Sequence, residues 1–141
     1  MSIQEILSQI STFLAAGHET TGSALTWCLY ALSQAPATQH KLREALRTLS
    51  PDSPRLVDEL LRLPYLDHVV REALRVHSPV TNTMRVCMRE ADEVPVSEPY
   101  TDRNGVLRRT ISLRKWDIVT VPIQAINKSR KLWGPDAAAF R

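Results

Sequence analysis

This 141-residue sequence has few cysteines and no dense run of basic residues. Two cysteines, Cys28 and Cys87, are too few for a disulfide framework, and we expect both to be buried thiols in a reducing compartment. The net charge of +3 comes without a dense run of lysine or arginine. The sequence therefore does not predict a nucleic-acid partner.

An uninterrupted apolar run is also lacking. Gln4 and Glu5 break the N-terminal apolar segment, so no signal peptide is predicted. The same segment includes His18 and Glu19, which a membrane-spanning helix rarely carries. We therefore expect a buried helix of a soluble domain. With 43% hydrophobic and 23% charged residues, the chain is long enough for one modest domain with a core.

The first segment combines helical periodicity with a polar cluster. Apolar residues recur at helical spacing on both sides of Ala16-Gly17-His18-Glu19-Thr20-Thr21. Ser2 and Glu5 predict a capping box and Pro36 predicts the next helix, so the first helix should span residues 3–34. Glycine and threonine are poor helix formers, and a threonine hydroxyl can bond the carbonyl one turn back. A helix that keeps them in its middle is expected to serve something that packs there.

Three further helices are predicted before residue 80, at about 37–49, 56–61 and 65–77. Glu72 and Arg75 lie three residues apart on the last of these and share a face. A Glu-x-x-Arg pair is usually a solvated surface pair. Apolar residues cover so much of this helix, however, that we expect a buried pair that locks a specific geometry.

Strand patterns replace the helical period from residue 80 onward. Residues 84–88 predict a strand, Asn104-Gly105 predicts a hairpin turn, and residues 110–113 and 118–121 predict further strands. Residues 124–131 predict a short helix followed by a loop. The predicted fold class is mainly α with a small β region. We expect residues 1–79 to be helical, residues 80–123 to form strands and a hairpin, and residues 124–141 to form a short helix and a loop.

The order of these features resembles the cytochrome P450 family over essentially the whole chain. Ala16 to Thr21 is similar to the family's central-helix motif, Ala/Gly-Gly-x-Asp/Glu-Thr-Thr/Ser. Glu72 and Arg75 are similar to its Glu-x-x-Arg motif. Trp133-Gly134-Pro135-Asp136-Ala137 followed by Phe140 resembles the approach to its Phe-x-Pro-x-Arg segment. Three motifs in this order are specific, and residues 124–133 are most similar to fungal members. The resemblance implies one partial cytochrome P450 domain over residues 1–141.

The resemblance also implies which residues would face haem b. Glu19 and Thr20 would be the catalytic acid–alcohol pair, with Thr20 hydrogen-bonding dioxygen and Glu19 helping to relay the protons for O–O cleavage. Gly17 with Ala16 would let the haem approach the helix closely. Arg85 would bind a haem propionate, because a guanidinium fork suits a carboxylate. The alternative for Arg85 is an outward-facing strand arginine.

Five more residues receive roles from the resemblance. Glu72 and Arg75 would be structural and hold the core on the side of the haem's axial ligand. Val80, Thr81 and Asn82 would line the substrate pocket, and their alternative is an ordinary turn after a proline.

The whole enzyme implied by the resemblance is a monooxygenase. It would insert one oxygen atom of O2 into a small organic substrate, with electrons from NADPH through a reductase and a cysteine thiolate on the iron. The family's ligand loop, Phe-x-x-Gly-x-x-x-Cys-x-Gly, is missing from these 141 residues, because neither Cys28 nor Cys87 has such surroundings. We therefore expect an inactive piece of a longer enzyme, without the axial cysteine, an anchor or a signal. The parent is expected at the cytosolic face of the endoplasmic reticulum membrane.

Two other classes stay open. A non-catalytic helical interaction module derived from the same fold would need a self-contained core. A metallohydrolase is more remote: His18-Glu19 begins a zinc-protease His-Glu-x-x-His pattern, but Gly22 occupies the place of the second histidine.

Overall fold

Helix α1 spans Ile3–Gln34 in the computed structural model, which describes residues 2–141. It begins at the predicted capping box: the Ser2 hydroxyl accepts from the Glu5 N–H, and the Glu5 carboxylate accepts from the Ser2 N–H. Helix α2, Pro36–Arg47, begins at the predicted proline, and α3, Leu56–Leu61, follows a turn. Helix α4 spans Pro64–Val76. The four helices predicted before residue 80 are confirmed to within two residues at each end.

The chain divides into two units by its contacts, residues 2–81 with 123–141 and residues 82–122. In the first unit, the core lies where α1, α2 and α4 meet, around Leu32, Leu42 and Val69. Trp27 of α1 stacks on His77 at the end of α4, with ring centroids 4.8 Å apart and planes 7° from parallel. These contacts fix α4 against the C-terminal third of α1.

The prediction that α1 is a buried helix is wrong. Every residue from Ser2 to Gly22 is exposed, and Ala31 and Leu32 are its buried residues. The periodicity identified the helix correctly. It could not show that only the last third of the helix has neighbours within the described residues.

Helix α4 is also less covered than expected. Val69, Ala73, Arg75 and Val76 are buried, whereas Val70 and Leu74 are about 40% exposed. The latter two border an apolar cavity of about 200 Å³ between α1 and α4. It is lined by Thr21, Ala24, Leu25, Cys28, Val70, Ala73 and Leu74. Cys28 is consequently half-buried rather than buried, while Cys87 is buried as predicted, and both thiols are free.

The second unit contains two two-stranded antiparallel sheets. Strand β1, Thr83–Val86, pairs with β4, Ile118–Val121, while β2, Ala91–Thr101, pairs with β3, Leu107–Arg114. The hairpin turn predicted at Asn104-Gly105 is confirmed, and Gly105 adopts the positive φ of 79° that favours glycine there. Most of β2 was missed, because Pro95 and Pro99 are unfavourable in strands. The pairing is irregular between Pro95 and Tyr100.

Two short helices replace the one predicted near the C-terminus. Helix α5 spans Ile123–Asn127, and α6 spans Arg130–Trp133. Both belong to the first unit. None of the helices within residues 2–141 has the length and apolar character needed to span a bilayer.

Candidate functional site

The polar cluster of α1 lies within continuous helix and faces open space. The Thr20 hydroxyl donates to the Ala16 carbonyl at 2.7 Å, which is the predicted bond to the preceding turn. Ala16 and Thr20 therefore lie one turn apart on the same face, with Glu19 about 100° around the helix from Thr20. Gly17 is also free of crowding, since an added Cβ would meet nothing within 4 Å among the described residues.

Two other threonines of α1 make the same kind of bond. Thr12 donates to the Ser8 carbonyl and Thr26 to the Gly22 carbonyl, at 2.9 and 2.8 Å. The bond at Thr20 is thus a local property of threonine in this helix. What distinguishes Thr20 is its neighbours, a glycine and a carboxylate on an exposed surface.

Glu72 and Arg75 form the buried pair that the sequence predicted. The carboxylate accepts from Arg75 Nε and Nη2, each at 2.7 Å, which is the bidentate geometry of a strong charge-assisted pair. The side chains are only 8% exposed for Arg75 and 19% for Glu72. Hydrogen bonding to Arg75 lowers the pKa of Glu72 below its ordinary value, against the opposing effect of burial, with help from the Arg141 N–H.

The remaining donors of Arg75 bind three backbone carbonyls. Nη1 donates to the carbonyls of Asn127 and Ala137 at 2.7 and 2.5 Å, and Nη2 donates to that of Ala139 at 2.9 Å. A guanidinium has five N–H donors, and all five are used here. The Trp133 ring also contacts the guanidinium, and we refer to Glu72, Trp133 and these three carbonyls as the Arg75 cradle.

The carbonyls and Trp133 were not identified from the sequence. The Arg75 guanidinium lies 5.0 Å from the Trp133 ring centroid. Backbone acceptors carry no sequence signal, because every residue has a carbonyl. Trp133 did carry one, a large aromatic beside Gly134-Pro135, but nothing in the pattern connected it to an arginine 58 positions earlier.

Arg85 lies on β1 in the second unit, exposed and bonded locally. Its guanidinium donates to the Thr83 hydroxyl and the Met84 carbonyl, both at 2.8 Å. Of the predicted substrate-lining residues, Val80, Thr81 and Asn82 are all exposed, and the Thr81 carbonyl accepts from the Gln124 N–H. The roles assigned to these four residues stay predictions.

The helical unit therefore joins a long helix bearing Ala-Gly-His-Glu-Thr-Thr to a helix with a buried Glu-x-x-Arg pair. This combination matches the central-helix and Glu-x-x-Arg motifs of the family that the sequence resembled. The chain belongs to the cytochrome P450 family, since the family model described as Cytochrome P450 matches residues 1–141. The predicted family and mainly α fold class are confirmed.

Similar proteins come from fungi, as predicted. Cytochrome P450 monooxygenase 205 of Postia placenta is 48% identical over 141 residues, covering 100% of this chain and 26% of that protein. Ganoderic acid synthetase CYP5150L8 of Ganoderma lucidum is 40% identical over 142 residues, covering 98% and 26%. The crystal structure of a cytochrome P450 (CYP102L1) is similar with a TM-score of 0.73 and 29% identity, covering 94% and 28%. The chain thus spans about a quarter of the length of the proteins it matches.

Proposed function

We propose that this chain is a part of a haem-thiolate monooxygenase, from its central helix to the approach to the haem-ligand loop, and that the enzyme inserts one oxygen atom of O2 into a small organic substrate. The observation that carries the proposal is the combination of an exposed Gly-His-Glu-Thr surface on α1 with the buried Glu72–Arg75 pair. Both occur in a chain whose family membership is established over its full length.

The α1 surface fits a large planar cofactor such as haem b. Gly17 and Ala16 present little side-chain volume, and no described residue obstructs the place where a Cβ of Gly17 would be. Ala16, Gly17 and Thr20 would lie against the cofactor, and Arg85 would pair with a propionate. When bound, haem would supply the binding and reduction of dioxygen.

The two catalytic candidates have distinct capacities. The Thr20 hydroxyl donates its proton to the Ala16 carbonyl. In this conformation the hydroxyl oxygen can still accept a hydrogen bond from a group bound at the exposed face of α1. Rotation that frees the proton for donation exchanges one hydrogen bond, at a net cost of about 1 kcal/mol. Glu19 is exposed and can exchange protons with water, so it can resupply the threonine side of the site.

The partners follow from the same proposal. NADPH would supply electrons through a reductase, and Val80, Thr81 and Asn82 would contact the substrate. The parent enzyme would act at the cytosolic face of the endoplasmic reticulum membrane. The 141 residues alone would be inactive, because neither Cys28 nor Cys87 lies in the glycine-rich surroundings of a thiolate ligand.

The test uses a chimera, in which this chain replaces the matching segment of Cytochrome P450 monooxygenase 205. Thr20→Ala removes the hydroxyl, so we expect substrate oxidation to fall by about 10²-fold while NADPH consumption continues and hydrogen peroxide is released. Thr20→Ser should retain most of the activity. The measurement is the amount of hydrogen peroxide released per NADPH consumed, in the presence of a lipophilic substrate that the chimera oxidises.

Thr26→Ala is the matched control, because Thr26 is exposed on α1 and makes the same bond to the preceding turn. It should leave the peroxide yield unchanged. An equal rise in peroxide for Thr20→Ala and Thr26→Ala, or none for Thr20→Ala, would contradict the catalytic role of Thr20.

A further inference from the structure

The segment around α6 is held by contacts outside the helix itself. Helix α6 has four residues and no side-chain hydrogen bond at its N-cap, and a helix this short is not stable alone. Arg75 binds a carbonyl on its N-terminal side, that of Asn127, and two on its C-terminal side, those of Ala137 and Ala139. One guanidinium therefore closes the loop of residues 127–139 on α4.

The backbone after α6 turns sharply to make this closure. Gly134 has φ of 89° and ψ of −177°, a conformation that is essentially limited to glycine. Its N–H donates to the Arg130 carbonyl at 3.0 Å and ends the helix. The turn allows the ring of Trp133 and the carbonyl of Ala137 to contact the same guanidinium, while Ala137 itself is fully buried.

With all five donors used in the guanidinium plane, only its two faces remain for further contacts. Trp133 covers one of them, at 5.0 Å from Arg75 Cζ to the ring centroid. Trp133 is still 49% exposed, whereas Arg75 is only 8% exposed. The indole is thus the boundary between the guanidinium and solvent. Its neighbour on α6, Leu132, is 65% exposed.

We propose that Trp133 is a positioning residue for Arg75. Its π face attracts the cation and excludes water that would compete for the three carbonyls, so the loop of residues 127–139 keeps one conformation on α4. This role concerns the Arg75 cradle itself. It does not depend on the proposed oxygen chemistry, and either can fail without the other.

The experiment follows the Arg75 Nε–H proton by NMR in the 141-residue chain. In Trp133→Leu, loss of the cation–π contact should speed its solvent exchange by about 2- to 5-fold, and loss of the ring current should change its chemical shift. Trp133→Phe keeps an aromatic face and should give smaller changes in both. Each exchange rate is divided by that of the Val69 N–H, a buried residue of α4, to remove overall changes in stability.

Leu132→Ala is the matched control on the same helix and should leave the normalised rate and the chemical shift unchanged. If Trp133→Leu does not fold, Trp133→Met provides the same comparison, because it too replaces the ring by an apolar aliphatic side chain. If Trp133→Phe changed the exchange rate and the chemical shift as much as Trp133→Leu does, the proposal would be overturned, because packing volume alone would then explain both changes. An unchanged Arg75 signal in the aliphatic variant would overturn it as well.

Discussion

Arg75 joins three stretches of the chain through one side chain. Its partners are a carboxylate one turn away on α4 and carbonyls that lie 52, 62 and 64 residues later. The sequence predicted the local half of this arrangement, because Glu-x-x-Arg on an apolar helix indicates a buried pair. The distant half was not predictable, since it depends on where the backbone of residues 127–139 folds back.

Substitution of Arg75 should therefore cost much more than substitution of a surface arginine. Arg75→Met leaves the half-buried Glu72 and three backbone carbonyls without their partner, and we expect the free energy of unfolding to fall by about 3–5 kcal/mol. Arg75→Lys should also destabilise, because an ammonium has three donors and no planar fork. Urea unfolding of the chain measures both effects.

Arg71→Met is the control for this series. Arg71 lies on the same helix and pairs with Asp67 at 2.7 Å, but its side chain is 76% exposed. We expect its loss to change the free energy of unfolding far less than the loss of Arg75 does, because solvent screens an exposed pair. Equal destabilisation by Arg71→Met and Arg75→Met would show that burial of the Arg75 cradle contributes nothing.

At the scale of elements, the ends of helices were more predictable than their surroundings. Ser2 and Pro36 marked helix starts through local chemistry, and Gly105 marked the hairpin turn. Burial of α1 was predicted incorrectly, because periodicity cannot tell a covered apolar stripe from an exposed one. Most of strand β2 was missed because Pro95 and Pro99 are unfavourable in strands, so its pairing with β3 could not be expected from its own composition.

The junction of α1 and α4 contains a partly buried histidine, His77. His77 stacks on Trp27, which in turn meets Tyr30 edge-on with ring centroids 5.6 Å apart. Burial lowers the pKa of His77 below its ordinary value, and the positive charge of Lys128 adds to this effect. The unfolded chain therefore binds a proton at a higher pH than the folded chain does.

Stability of the helical unit should accordingly depend on pH. The contribution of neutral His77 is complete above the ordinary histidine pKa and is lost as pH falls through the lower folded value. His77→Phe keeps an aromatic ring and should remove this part of the pH dependence. The measurement is the midpoint of urea unfolding, monitored by circular dichroism. It is repeated over about pH 4–8, a range that includes the ordinary histidine pKa of about 6.5.

His68→Phe on α4 is the matched control, because His68 is exposed. It should leave the pH profile of the parent chain in place. A profile that is the same in the His77→Phe and parent chains would refute the assignment to the stacked histidine.

At the scale of the whole molecule, the described residues expose a large area of apolar surface. The chain exposes 11327 Å². A folded monomer of 15.9 kDa is expected to expose roughly 7,400 Å². Apolar side chains exposed along most of α1 contribute to this excess.

We propose that these residues form the oxygen-facing helix and the Glu–Arg core of a cytochrome P450 whose thiolate ligand is not among residues 1–141. The most direct measurement is the carbon monoxide difference spectrum of reduced, haem-loaded samples of the isolated chain and of the chimera with Cytochrome P450 monooxygenase 205. We expect the chimera to show the Soret band typical of thiolate-ligated haem and the isolated chain to lack it. That band in the isolated chain, or its absence from a folded chimera whose unmodified parent shows it, would contradict the account.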